Sequence, residues 1–134
     1  MLVTASSSAR PASRSPAVTP AVTYAAIVGA AIVQLRERHG TTQADCAAAM
    51  NLAPSTWSRI ERGTSALTVE QLARFAAYVR CAPSDVLTLA DERRDGITSR
   101  GVAVLLDRVS STEAMARGHA LVSAATLAEF FAPR

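Results

Sequence analysis

A short polar segment near the middle of the chain combines side chains that can recognise nucleic-acid bases. Ser55, Arg59 and Arg62 are spaced so that one face of an α-helix would carry all three. The planar guanidinium group of arginine can pair with O6 and N7 of guanine, which makes Arg59 the strongest candidate for a base contact. Ser55 is the second candidate, because its hydroxyl can bond to a base edge or a phosphate. This face predicts contact with DNA in the major groove.

Other polar residues are candidates for contacts with the DNA backbone, which position a protein without reading the base sequence. They are Gln43, Thr56, Ser58 and Arg62. Gln43 lies at the start of a predicted helix, where free backbone amides and the helix dipole favour a phosphate. The alternative interpretation is structural. Each arginine could be a solvated residue on a helix surface, and Gln43 could be a simple cap.

Five predicted helices position these residues. They cover about residues 20 or 23 to 39, 42 to 50, 54 to 62, 68 to 79 and 83 to 90. Gly40, Asn51 and Gly63 mark three of the ends, because glycine and asparagine tolerate the left-handed backbone that closes a helix. The first helix also has an apolar outer face, with Ala26, Ala30 and Val33 as its members. We expect another part of the protein to cover that face.

The order and spacing of these features resemble the Xre/Cro family of phage-repressor-like helix-turn-helix proteins. The residues that carry the resemblance are Val28, Gly29, Ile32, Leu35, Arg36, Thr42, Gln43, the run from 55 to 63, Leu67, Leu72, Ala76, Val79 and Leu87. They span about residues 24 to 90, roughly half of the chain. The resemblance implies a five-helix DNA-binding domain with Gln43 as a phosphate clamp. It also implies a partly buried ion pair between Arg36 and Glu61.

Some positions depart from the pattern of that family. Ala53 stands where a capping Ser or Thr is usual, a difference of about 1 kcal/mol in helix stability. Pro54 occupies an early position of the recognition helix and offers no side-chain donor. Arg80 replaces the usual glycine after the fourth helix. These departures restrict the expected base contacts to Ser55 and Arg59.

Composition favours an all-α fold. Apolar residues make up 49% of the chain, aromatic residues only 4%, and 28 of the 134 residues are alanine. Alanine is the best helix former and lets helix axes approach closely. No long stretch alternates between apolar and polar residues. We therefore expect a five-helix repressor-like helix-turn-helix domain, followed by one or two C-terminal helices.

The ionisable residues argue against an enzyme. All fourteen basic residues are arginine, so chemistry that needs a lysine is excluded, including a Schiff base, a Gly-Lys phosphate loop and a Ser-Lys dyad. Cys46 and Cys81 are isolated, and neither His39 nor His119 completes a metal-ligand spacing. We expect no catalytic residues, no metal and no cofactor, with both cysteines reduced.

The chain divides into three predicted parts. Residues 1–20 form a flexible arm that carries Arg10 and Arg14, residues 21–90 form the DNA-binding domain, and residues 91–134 form a helical extension. In that extension we expect a charged linker over 91–95, a helical apolar stripe from Val102 to Val109, and a longer helix capped by Ser111 or Thr112. Two interpretations of the extension stay open. It could form a homodimer, together with the outer face of the first helix, or it could pack on its own domain.

These features predict a cytoplasmic transcriptional regulator that is not an enzyme and does not enter a membrane. The expected partner is double-stranded DNA, bound by a homodimer at a palindromic operator, with repression as the expected outcome. The alternative is an antitoxin or another partner-binding protein. In that case the C-terminal helices would bind a partner, and DNA binding would be autoregulatory. The N-terminal arm could reach a minor groove through Arg10 and Arg14, or could make no contact.

Overall fold

A computed structural model describes residues 18–131 of the chain. Within this range there are seven helices and three short strands. The elements are β1 (Thr19–Thr23), α1 (Tyr24–His39), α2 (Gln43–Ala49), α3 (Pro54–Glu61), α4 (Val69–Tyr78), α5 (Pro83–Thr98), β2 (Ala103–Leu105), α6 (Ser111–Ala116), β3 (His119–Leu121) and α7 (Ala124–Phe131). Arg10 and Arg14 of the predicted arm lie outside the described residues.

Local sequence sets most helix ends in the first half of the chain. The side chains of Thr23 and Thr42 accept hydrogen bonds from the backbone amides of the first turns of α1 and α2. Thr68 and Gln71 form a reciprocal capping box at the start of α4. The backbone of Asn51, with φ at 57°, turns sharply between α2 and α3. The predicted boundaries of the first four helices therefore agree with the structure to within one residue, except that the alternative start of the first helix near residue 20 is wrong, because that residue lies in β1.

The prediction of a purely helical protein is wrong in one respect, because the three strands form a small parallel sheet in the order β2-β1-β3. Ala21 pairs with Ala103 on one side of β1, and Thr19 pairs with His119 on the other. These strands have only three to five residues, too few for a visible alternation of apolar and polar side chains. Their stability depends on pairing between distant segments of the chain.

The predicted linker over residues 91–95 is also wrong. This segment lies inside α5, which continues for 16 residues to Thr98. Charged side chains are compatible with an exposed helix face, and the same helix buries Ala90 and Ile97 against the core. Gly96 is accommodated within the helix. The proposed boundary between residues 90 and 91 therefore falls inside one helix.

The C-terminal helices are shorter than predicted. The segment from Ala103 to Leu105 is a strand, and Leu106, expected on a buried stripe, is 85% exposed. Ser110 caps α6 with a capping box, one residue before the predicted cap. α6 ends before Gly118, whose φ of 81° begins the turn into β3. The predicted longer helix is thus divided into α6, β3 and α7.

A single apolar core joins the two halves of the described chain. Its largest fully buried side chains are Trp57, Phe75, Ile27, Ile32, Ile97, Val86 and Cys46. α7 packs beside the outer face of α1 and buries Leu127 and Phe131.

Burial raises the pKa of the Cys46 thiol to about 11, and the nearby negative charge of Glu61 adds to the rise. Both cysteines are free. None of the helices between residues 18 and 131 has the length and apolar character needed to cross a membrane.

Candidate nucleic-acid interface

α3 has one buried face and one exposed face. Trp57 is completely buried, and Ile60 and Glu61 are nearly so. On the opposite side Ser55 and Arg59 are exposed, and Arg62, at the C-cap, is exposed as well. The helix thus presents a hydroxyl and two guanidinium groups to solvent, while its other side anchors it in the core. Pro54 starts the helix, and Ala53 provides no side-chain cap.

The carboxylate of Glu61 connects the three helices that surround the turn. Arg36 of α1 donates from Nε to Oε2 at 2.6 Å and from Nη2 to Oε1 at 3.2 Å. Gln43 of α2 donates from Nε2 to Oε1 at 2.7 Å, and Trp57 donates from Nε1 to Oε2 at 2.8 Å. We call these four residues the Glu61 cluster. The Glu61 side chain is only 2% exposed, so these donors replace the water that would otherwise stabilise its carboxylate.

Arg36 has a second structural contact in addition to Glu61. Its Nη1 donates to the backbone oxygen of Thr41 at 2.9 Å, between α1 and α2. Burial lowers the pKa of Arg36, but the hydrogen bonds and the negative charge of Glu61 outweigh this effect and leave the pKa above its usual value. The guanidinium therefore stays charged at the junction of α1, α2 and α3.

Two glycines allow the end of α3 to lie directly against α1. A Cβ atom on Gly29 would collide with the backbone carbonyl of Glu61, at 2.7 Å from its carbon. A Cβ atom on Gly63 would collide with the backbone of Ala26, and the φ of Gly63 is also left-handed, at 75°. Only glycine fits these positions without a shift of the backbone. The orientation of α3 relative to α1 is therefore set by backbone contact.

The predicted backbone-contact residues of α3 form local hydrogen bonds. Arg62 Nη1 donates to Ser58 Oγ at 2.7 Å, and Arg59 Nη2 lies 3.5 Å from Thr56 Oγ1. Ser58 and Thr56 are half-buried. These bonds hold the two arginines along the helix while leaving most of their donors free. The exposed face is therefore cationic and rich in donors.

Gln43 has a different environment from the one expected of a free phosphate clamp. One of its amide hydrogens is used by Glu61, so only the second can be offered to a ligand. The cap of α2 is Thr42, whose hydroxyl accepts from the amide of Asp45. Gln43 thus belongs to the Glu61 cluster and lies at the same time beside the free amides of the α2 N-terminus.

Sequence reasoning missed two features of this region. It did not assign Gln43 and Trp57 as donors to Glu61, although Trp57 precedes Glu61 by one helical turn, a spacing that brings two side chains together. It also missed Thr64, an exposed residue whose hydroxyl donates to the backbone oxygen of Arg59 at 3.2 Å. The only sequence signal for Thr64 is its position directly after Gly63, where the chain leaves α3.

Across residues 18–131, no group of three metal-ligating side chains occurs.

Comparison with known proteins agrees with this geometry. Residues 27–89 match the family model of the helix-turn-helix domain. This segment, a little under half of the chain, carries a helix-turn-helix domain. This confirms the resemblance inferred from the motifs between residues 28 and 87.

Solved structures of two other proteins are similar to part of this chain. The clp gene regulator ClgR from Corynebacterium glutamicum matches with a TM-score of 0.56 and 26% identity, over 57% of this chain and 82% of that chain. A mutant of the restriction-modification controller protein C.Esp1396I matches with a TM-score of 0.47 and 25% identity, over 52% of this chain and 87% of that chain. A search of curated proteins found no match.

Proposed function

We propose that this protein is a sequence-specific transcriptional regulator that inserts α3 into the major groove of its operator. The observation that carries the proposal is the exposed face of α3, where Ser55, Arg59 and Arg62 lie together on a helix anchored by the Glu61 cluster. A rigidly held helix with an exposed arginine is suited to base recognition, because the bidentate contact to guanine needs precise placement. The similarity to ClgR, a clp gene regulator, supports a role in transcription.

Each candidate site residue has a separate role in this proposal. Arg59 and Ser55 contact base edges, and Thr56, Ser58 and Arg62 contact the DNA backbone. Gln43 offers its second amide hydrogen to a phosphate at the N-terminus of α2. Arg36 and Glu61 make no contact with DNA and hold the helices in place.

We further propose a homodimer on a palindromic operator, which places two copies of α3 about 34–36 Å apart, one turn of DNA. α7 contacts α1 and borders its outer face, so that face is partly occupied by the chain itself. Val69 and Leu106, which are 78% and 85% exposed, are better candidates for the contact, and both line one groove with Leu87. Asp107 and Arg108 border the same groove, so two copies can meet with opposite charges facing each other.

Repression is the outcome we assign to this binding, because an occupied operator excludes other proteins from the same DNA. The cytoplasm is the compartment we assign to this activity. The N-terminal arm and its possible minor-groove contacts lie outside the described residues and are not needed for this mechanism.

Selection of binding sites from random DNA tests the proposal directly. The wild type should enrich a palindrome, and Arg59→Ala should relax the preference at one base pair in each half-site, with a loss of about 1–3 kcal/mol per contact. Arg62→Ala should instead weaken binding to all sequences and reduce the salt dependence by about one counterion. Arg117→Ala, an exposed arginine at the end of α6, is the matched control and should change neither property.

The outcomes separate the parts of the proposal. Failure to enrich any sequence would overturn DNA recognition. An unchanged motif in Arg59→Ala would remove Arg59 from the base contacts while leaving the other residues in place. A motif without two-fold symmetry would overturn the dimer.

A further inference from the structure

A cavity of about 740 Å³ lies between the outer face of α1 and the last helix, α7. This volume falls within the range of small-molecule sites in proteins, roughly 300–1,000 Å³. The cavity opens at the surface next to the end of α3. Ser55 and Arg59, the two proposed base contacts, are not among the residues that line it.

Both apolar and charged side chains line the cavity. The apolar residues include Ala30, Val33, Val122, Leu127, Ala128 and Phe131. Three arginines and two glutamates also line the cavity, which leaves an excess of one positive charge. Arg36 is neutralised by Glu61, and Arg62 is bonded to Ser58. In the described part of the chain Arg38 is exposed and has no salt bridge, so it is available for an anion.

Gln34 adds a polar group to the wall of the cavity. Its Oε1 is buried and has no hydrogen-bond partner among residues 18–131. A buried amide oxygen without a partner is costly, so a ligand that donates a hydrogen bond there gains affinity. Gln34 is itself one of the residues that line the cavity.

We propose that this cavity binds a small amphipathic effector with an apolar body, an anionic head group and a hydrogen-bond donor. The apolar body lies on α7 and the outer face of α1, the anion pairs with Arg38, and the donor pairs with Gln34. This occupant fits the observed combination of apolar area, positive charge and an unsatisfied acceptor. A neutral hydrocarbon would leave both polar features unused.

The cavity is also connected to the DNA-binding residues, and this part of the inference rests on the proposed function. Gln43 and Arg62, which we assign to the DNA backbone, line the cavity together with Glu61. An occupant that shifts any of these side chains changes the affinity for DNA, because the same groups serve both sites. The structure thus places an effector site directly behind the helix-turn-helix motif.

Binding of two fluorescent probes to the full chain tests the cavity without knowledge of the natural ligand. Anilinonaphthalene sulfonate has an apolar body, an N–H donor and a negative charge, and N-phenylnaphthylamine has the same body and donor without the charge. Wild type should bind one molecule of the sulfonate per chain. Ala128→Trp fills the cavity and should abolish this binding. Ala125→Trp, exposed on the same helix but outside the cavity, should retain it.

Two further variants test the polar contacts. Arg38→Gln should lower the affinity for the charged probe by about two- to fivefold, the range expected for an exposed ion pair. It should leave the affinity for the uncharged probe unchanged. Gln34→Leu should weaken both probes, since both carry the donor. Equal loss of both probes in Arg38→Gln, or no loss in Gln34→Leu, would contradict the assigned contacts.

The result that overturns the site is retained one-to-one binding in Ala128→Trp, or binding lost equally in Ala125→Trp. A change of oligomeric state in Ala128→Trp without loss of the probe would instead identify the cavity as an interface between copies, and would also overturn the proposal. Circular dichroism of both variants establishes that each is folded.

The link to DNA is measured separately. At saturating charged probe the affinity of wild type for its selected DNA should change by about fivefold or more, and that of Ala128→Trp should not change. An unchanged wild-type affinity would overturn the regulatory role. If the protein selects no DNA at all, the proposed function fails, while the probe titrations still decide whether the cavity binds its ligand.

Discussion

The helix-turn-helix motif and the C-terminal extension are held to the core in different ways. Around the motif, polar side chains at most 25 positions apart meet at the buried carboxylate of Glu61. The extension is attached by backbone pairing of β1 with β2 and β3, about 80 to 100 positions away, and by the apolar side chains of α7. Side-chain identity specifies the first region. Backbone geometry specifies much of the second, and backbone pairing is less sensitive to residue type.

The largest effect should follow from removal of the Glu61 carboxylate. Glu61→Ala leaves Arg36 as a charge without a partner, since the Arg36 side chain is only 11% exposed, and we expect a loss of about 3–5 kcal/mol in the free energy of unfolding. Urea denaturation followed by circular dichroism measures this loss. Trp57 and Gln43 also lose an acceptor, which adds to the effect.

Glu92→Ala is the control for this variant. Glu92 is exposed on α5 and has no salt bridge within residues 18–131, so we expect a change within about 0.5 kcal/mol. The double variant Arg36→Met with Glu61→Leu should recover part of the loss, because it removes both buried charges. A Glu61→Ala protein as stable as Glu92→Ala would show that the cluster does not stabilise the motif.

The same difference explains which parts of the structure could be predicted from sequence. Thr68 with Gln71, Asn51 and Gly63 act through their own chemistry at helix ends, so the first four helices were predictable. The exposed face of α3 followed from periodicity alone. The sheet was not predictable, because the residues of β2 carry no pattern that identifies β1 as their partner. The charges at 91–95 were misleading, since an exposed helix face and a linker have similar composition.

A matched pair of glycine substitutions tests the difference between the two regions, with an expected effect of intermediate size on the free energy of unfolding. Both Gly29 and Gly96 lie inside helices, but a Cβ on Gly29 meets the backbone of α3, and a Cβ on Gly96 meets nothing within 4 Å. Gly29→Ala should therefore lower the free energy of unfolding by about 1–3 kcal/mol. Gly96→Ala should raise it by about 0.5 kcal/mol, because alanine favours the helix. Thermal and urea denaturation measure whether each substitution raises or lowers the free energy of unfolding.

The pair also distinguishes the two regions in function. Gly29→Ala moves α3 relative to α1, so we expect weaker binding to the selected DNA, and Gly96→Ala should bind as the wild type does. Destabilisation by Gly96→Ala would mean that residues 91–98 are not helical in solution. Stabilisation by Gly29→Ala would contradict the close contact between α1 and α3.

The smallest predicted effect concerns the contact that joins the two regions. Tyr24, the first residue of α1, donates its hydroxyl to Asp91 Oδ1 of α5 at 2.7 Å. Burial raises the pKa of Tyr24 to about 12 from 10.0, and the hydrogen bond and negative charge of Asp91 add to the rise. Since the folded pKa lies above the unfolded one, the stabilisation is complete below pH 10 and is lost as the pH rises towards 12.

Tyr24→Phe isolates this effect. At neutral pH we expect a loss of about 1 kcal/mol for one partly exposed hydrogen bond, and the difference from wild type should shrink between pH 10 and 12. Urea denaturation across this range measures it, and Tyr78→Phe, which leaves the Tyr24–Asp91 contact intact, should keep the pH dependence of wild type. A constant difference would mean that Tyr24 does not meet Asp91. The buried side chains of Ala90 and Ile97 would then hold α5 to the core without this bond. Backbone pairing, apolar packing and the contact of Arg108 Nη1 with the backbone oxygen of Thr64 would join the two regions.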